Sequence, residues 1–184
     1  MQMKKTLSLL SLSLMLSLPT FAQNIFTAIQ ENDIPAVKYL LEKGANVNTK
    51  DDQGNSPLIA AVKNGSDRAV LLLLQRNPDV DVKDKTGNTA LILAASVKNI
   101  RITDLLLTHY PKLDAKNSTG ATALITAVQA GNIEAASTLL RNGADTRAKD
   151  NQHKTAVDYA KEANNAEAIS LFSATAAAAA QKSK

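Results

Sequence analysis

The side chains able to do chemistry are few and badly placed for it. Carboxylates crowd at Asp51-Asp52 and at Asp79, Asp81 and Asp84, a density that could hold calcium through oxygen ligands or supply an acid and a base. They lie in polar segments full of turn formers, where Asp accepts hydrogen bonds from its own backbone and closes turns. Only two histidines occur, His109 and His153, and cysteine is absent. No His/Cys set has zinc-ligand spacing, and no disulfide can form. His109 stands near a helix end, where it can interact with the last carbonyls, and His153 occupies a turn. Every glycine falls at a turn or a helix end, so none is left for a phosphate-cradling loop. The expectation is a protein that is not an enzyme and has no cofactor and no metal.

The elements beneath these residues follow a fixed interval of 33. Gly54, Gly87 and Gly120 recur at that spacing, with His153 in the fourth place. Ser56, Thr89, Thr122 and Thr155 keep step, as do Leu58, Leu91, Leu124, Val157 and Ala61, Ala94, Ala127, Ala160. The Ser/Thr row precedes apolar segments and reads as helix N-caps, with Pro57 at a first helical position. Ten residues later comes Asp33, Ser66, Asn99, Asn132, Asn165, a second capping row. Each copy therefore holds two helices. Asn32, Gly65, Lys98, Gly131 and Asn164 lie between them, mostly types that tolerate the left-handed turn ending a helix. The rows Val37, Val70, Thr103, Ala136 and Leu40, Leu73, Leu106, Leu139 share a face of the second helix. A lone helix pair cannot bury that face, so the copies must stack.

These residues resemble the ankyrin repeat, whose signature reads T-P-L-H-x-A. The chain has Ser56-Pro57-Leu58-Ile59-Ala60-Ala61, Thr89-Ala90-Leu91-Ile92-Leu93-Ala94 and Thr122-Ala123-Leu124-Ile125-Thr126-Ala127. Gly44-Ala45-Asn46-Val47-Asn48 and Gly143-Ala144-Asp145 look like the family's G-A-D-V-N segment. The family's His is Ile in three copies and Asp158 in the last, so the hydrogen bonds that His supplies are not expected. The resemblance implies an all-α solenoid, a stack of five helix-turn-helix repeats joined by β-turn or hairpin loops. Its copies fall at about 23–50, 51–83, 84–116, 117–149 and 150–172. In two of them Gly-Ala gives way to Asn77-Pro78 and Tyr110-Pro111, and proline pushes the residue before it towards extended geometry. The fifth copy carries Asp158, Lys161 and Glu162, polar residues fit for a terminal face. Ala176 to Ala180 favour helix, so the last helix can run on; with no face to bury, residues 173–184 are expected to form a frayed, flexible tail.

Residues 1–22 read as a signal peptide: Lys4-Lys5, the apolar run Leu7 to Leu18, and a cut after Ala22. A run of twelve residues, four of them serine, falls short of the roughly twenty apolar residues that span a bilayer. Without the leader the formal charge of +4 drops to +2, because Lys4 and Lys5 leave with it. A nearly neutral body lacks the basic stripe of nucleic-acid binders. The reading is an exported protein, periplasmic or secreted, that meets no nucleic acid and no membrane after cleavage and is a monomer.

What remains is a surface. In proteins resembling ankyrin, turn tips and the exposed ends of first helices line a concave face that grips other proteins. By position the tips are Asp52, Gln53, Asn55; Lys85, Thr86, Asn88; Ser118, Thr119; and Asn151, Gln152, Lys154. The helix positions are Lys63, Asn64, Ser96, Val97, Gln129 and Glu162. The expected partner is another exported protein. Two narrower readings are an immunity or accessory protein that neutralises or stabilises an exported enzyme, and an effector secreted to a host cell.

Overall fold

The computed structural model describes residues 24–182; the leader assigned to residues 1–22 lies outside them. Ten helices occur among the described residues, and no strand. They pair in chain order: α1 (Ile25–Gln30) with α2 (Ile34–Glu42), α3 (Pro57–Lys63) with α4 (Asp67–Leu74), α5 (Ala90–Ser96) with α6 (Ile100–Leu107), α7 (Ala123–Gln129) with α8 (Ile133–Arg141), and α9 (Ala156–Glu162) with α10 (Ala166–Lys182). First helices pack on first helices and second helices on second helices, so two layers run the length of the stack.

The first helices start where a side-chain oxygen can satisfy their free amides: Asn24 Oδ1 at α1 and a hydroxyl in the other four. Ser56, Thr89, Thr122 and Thr155 accept from the amides of Ile59, Ile92, Ile125 and Asp158. The core lies between copies. Leu58, Leu91 and Leu124 are each 1% exposed and Ala61, Ala94, Ala127 and Ala160 are fully buried; alanine there leaves room for the neighbouring helix to come close. The isoleucines in place of the family's His, Ile59, Ile92 and Ile125, are buried as well. They exchange a hydrogen-bonding ring for apolar packing.

The second capping row holds at Asp33, Ser66, Asn132 and Asn165 but fails at Asn99, which makes no side-chain cap bond. The cause is one residue earlier. Asn32, Gly65, Gly131 and Asn164 turn with φ of 53°, 68°, 64° and 49°, whereas Lys98 does not enter the left-handed region, which is costly for a residue of its type. Val97, extended at φ −86° and ψ 129°, opens the junction instead. Asn132 of the next copy fills it, donating from Nδ2 to the carbonyls of Ala95 (3.1 Å) and Val97 (2.9 Å).

The residues before proline also depart from expectation. Asn77 and Tyr110 are not extended; their φ values of 49° and 52° match the left-handed turn of Gly44 and Gly143, and their amides still reach Leu74 and Leu107 carbonyls. The proline acts one residue later. Ala45 and Ala144 donate back to Leu40 and Leu139, a bond that Pro78 and Pro111, lacking N–H, cannot make.

In the fifth copy Lys161 is exposed where Val62, Ala95 and Val128 are buried. Glu162 is no such exchange, because its row of Lys63, Ser96 and Gln129 is exposed in every copy. Helix α10 continues to Lys182, through most of the stretch expected to fray; Ser173 and Thr175 hydroxyls donate to the carbonyls of Ile169 and Leu171 on the way. No described helix is long and apolar enough to cross a membrane.

Candidate functional site

The tips are four copies of one small turn, each closed by its first side chain. Oδ1 of Asp51, Asp84, Asn117 and Asp150 accepts from the amides two and four residues on: Gln53 and Asn55, Thr86 and Asn88, Thr119 and Ala121, Gln152 and Lys154. The fourth residue must be left-handed, and Gly54, Gly87, Gly120 and His153 are, at φ 75°, 78°, 79° and 61°. These aspartates are spent on their own backbone. Asp79 likewise accepts from the nearby Asp81 amide, whereas Asp81 accepts from the Lys112 amide of the next copy. No three carboxylates or imidazoles converge on one point among the described residues.

Successive tips are stitched by backbone bonds: Lys85 donates to the Gln53 carbonyl, Ser118 to that of Thr86 and Asn151 to that of Thr119, at 3.2, 3.0 and 3.0 Å. The approach is tight enough to dictate sequence. A Cβ on Gly120 would sit 2.7 Å from the Asn151 nitrogen, and one on Gly87 2.8 Å from that of Ser118. His153 is tolerated in the same row because no described tip follows it.

Beneath the tips lie the ends of the first helices. Lys63 Nζ donates to Asn55 Oδ1 (2.7 Å) and to Asp84 Oδ2 (3.1 Å), joining α3 to its own tip and the next. Burial alone would raise the Asp84 pKa. The Thr86 hydroxyl, the Asn88 and Thr86 amides and Lys63 outweigh it and hold the carboxyl below its ordinary value. Asp51 and Asp150 behave alike, with burial opposed by Asn55 and Gln53 at the first and by Tyr159, Lys154 and Gln152 at the second. The Tyr159 hydroxyl donates to Asp150 Oδ2, and this bond foremost raises its pKa. Lys154 pairs with Glu162 at 2.8 Å and lies over the Tyr159 ring at 5.3 Å.

Between these two charged ends the face carries no ion pair. Asp52, Gln53, Lys85, Thr86, Ser118, Thr119, Asn151 and Gln152 are exposed at the tips, and Lys63, Asn64, Ser96, Gln129 and Glu162 along the helix ends. Asn88, Val97 and Lys154 are half-buried. Asn55 is a correction: it is buried, bonded to Asp51 and Lys63, and offers nothing outward. Asn64 is partly committed, donating to the Ile29 carbonyl at 2.7 Å. Sequence reasoning passed over the half-buried floor of Ala60, Leu93, Thr126 and Tyr159. Their own 33-residue spacing, one residue past the buried isoleucines, is the signal that would have found them.

Among the described residues, the ionisable side chains beneath the tips of this face close those tips or pair with one another, as Lys63 with Asp84 and Tyr159 with Asp150. What it presents is a stitched row of exposed tips, uncharged at Thr86, Ser118 and Thr119 and charged at Asp52 and Lys85. A family model described as Ankyrin repeats (3 copies) matches residues 25–117 and 111–182. No curated protein matches the chain.

Proposed function

Since the chain belongs to the ankyrin-repeat family, whose repeats generally mediate protein–protein interaction, we propose that it is a non-catalytic binding module that holds another exported protein. The contact runs along the tips and first-helix ends, over the floor of Leu93 and Thr126. The observation carrying this reading is the stitched row of tips, because a surface whose backbone is already fixed loses little entropy on docking. Its central stretch of Thr86, Ser118, Thr119, Ser96 and Gln129 is small, polar and uncharged, so hydrogen bonds and shape set the specificity, and added salt should weaken the complex little.

The proposal places the protein in the periplasm or medium, delivered by the leader of residues 1–22 and cut after Ala22. Lys4-Lys5 and the apolar run Leu7 to Leu18 support it. Cell fractionation with N-terminal sequencing of the product tests that part; cytosolic protein retaining Met1 would overturn it. Affinity capture from the same compartment tests the binding face. One protein should be retained by wild type and lost with the double variant Gln53→Arg, Lys85→Glu, both at exposed tips. Equal retention by the two would remove the tips from the contact.

A further inference from the structure

The faces between copies are built from the same rows throughout, and one of them is left open. Leu58, Leu91 and Leu124 are buried where the following helix pair packs, while Val157 in their row is only half-buried. Val70, Thr103 and Ala136 are fully buried, and Ile169 in their row is again half-buried. In earlier copies the chain turns back at Gly44, Asn77, Tyr110 and Gly143 and brings the next pair over this face. At the matching position, Ala176, α10 runs straight on to Lys182. A cleft remains, lined by Val157, Lys161, Ile169, Phe172 and Thr175 among others.

Its rim has a sign. Lys161 and Lys149 are exposed and close no ion pair among the described residues. Asp158, three residues before Lys161 on α9, accepts with Oδ2 from the Thr155 amide (2.9 Å) and hydroxyl (2.7 Å), and both lysines act on it electrostatically. Lys161 on the cleft lining and Lys149 thus give this end two cations against one carboxylate. We propose that this face is a second docking surface, whose occupant is an amphipathic helix of another protein with leucine-like side chains in the cleft and a carboxylate on Lys161. The helical form follows from the rows, which are covered by helices at the preceding junctions. A second copy joined by a two-fold axis is disfavoured, because it would set this cation-rich patch against itself. A head-to-tail copy would build an open filament.

The test uses the 15N-labelled protein and two capped synthetic helices of about 15 residues, long enough to form helix on contact. Both carry a leucine stripe; one is flanked by glutamates and the other by lysines. The glutamate peptide should shift the amides of Val157, Lys161 and Ile169 saturably and bind at least about tenfold more tightly than the lysine peptide, a difference of about 1.4 kcal/mol. In Lys161→Glu the preference should reverse. No saturable shift at these residues, equal affinity for both peptides, or shifts confined to the tips from Asp52 to Lys154 would each overturn the proposal. The last outcome would assign the peptide to the face described under Proposed function.

Discussion

Two single side chains cost the stack stability without an evident return in packing. Thr103 stands in a row with Val37, Val70 and Ala136, is fully buried, and its hydroxyl has no partner among the described residues. An orphaned buried hydroxyl costs about 1–3 kcal/mol. Thr103→Val keeps the shape, removes that group and restores the valine of Val37 and Val70; it should raise stability by about 1 kcal/mol, read from the urea midpoint. A lower midpoint would mean that the hydroxyl is satisfied after all. Tyr110 is 93% exposed and left-handed at φ 52°, a conformation costing an ordinary residue about 1–2 kcal/mol. Asn77 makes the same turn before the same kind of proline, and asparagine tolerates it better. Tyr110→Asn should therefore stabilise by up to about 1 kcal/mol, and a thermal melt no higher than wild type would show that the turn is unstrained.

The helix pairs and their turns were largely written in the 33-residue rows, and the exceptions have local causes. Ser56, Thr89, Thr122 and Thr155 could be read as caps because a hydroxyl before an apolar helix has one obvious use. Asn99 could not be told from Asn132, since both are asparagines in one row. What separates them is the neighbour: Lys98 resists the left-handed turn that Gly131 makes easily. Asn55 likewise looked like Gln53, although the Asp51 carboxylate and Lys63 draw it inward. The double duty of Asn132 gives an element-level prediction. Asn165→Ala removes one cap, at about 1 kcal/mol. Asn132→Ala removes a cap and also strands the Ala95 and Val97 carbonyls, and should cost about 1–2 kcal/mol more. Equal losses would mean that water takes over at those carbonyls. Glycine spacing makes a parallel case at the tips. Gly120→Ala drives a Cβ into Asn151, whereas Gly131→Ala meets nothing within 4 Å. Both variants carry the left-handed penalty, and only the first adds an overpacking cost of about 1–3 kcal/mol, so their difference isolates the fit between tips.

Over the whole stack these tips make stability a function of acidity, with a sign fixed by the carboxylates. Asp51, Asp84 and Asp150 are each held below their ordinary value by the bonds they accept, against burial. A carboxyl with a lower pKa folded than unfolded contributes stability that is present above the unfolded value, near 4, and is lost as the pH falls through the folded value. Stability should be flat from about pH 5 to pH 8 and fall below about pH 4. The loss should start at the tips, because the protons land on the oxygens that close them. Asn117 makes the same turn without a charge, so its tip should keep amide protection in acid while those of Asp51, Asp84 and Asp150 lose it. The decisive variant is Asp84→Asn. At neutral pH it should be less stable than wild type, since an amide nitrogen can face Lys63 Nζ where Oδ2 accepted its proton. From about pH 5 to pH 2 it should lose less than wild type, because one of the depressed carboxyls is gone. Urea midpoints measured across that range should converge, and lines that stay parallel would show that Asp84 takes no part in the acid response and that the linkage rests with Asp51, Asp150 and the two other lowered carboxyls, Asp145 beside the Arg147 amide and Asp158 beside the Thr155 amide.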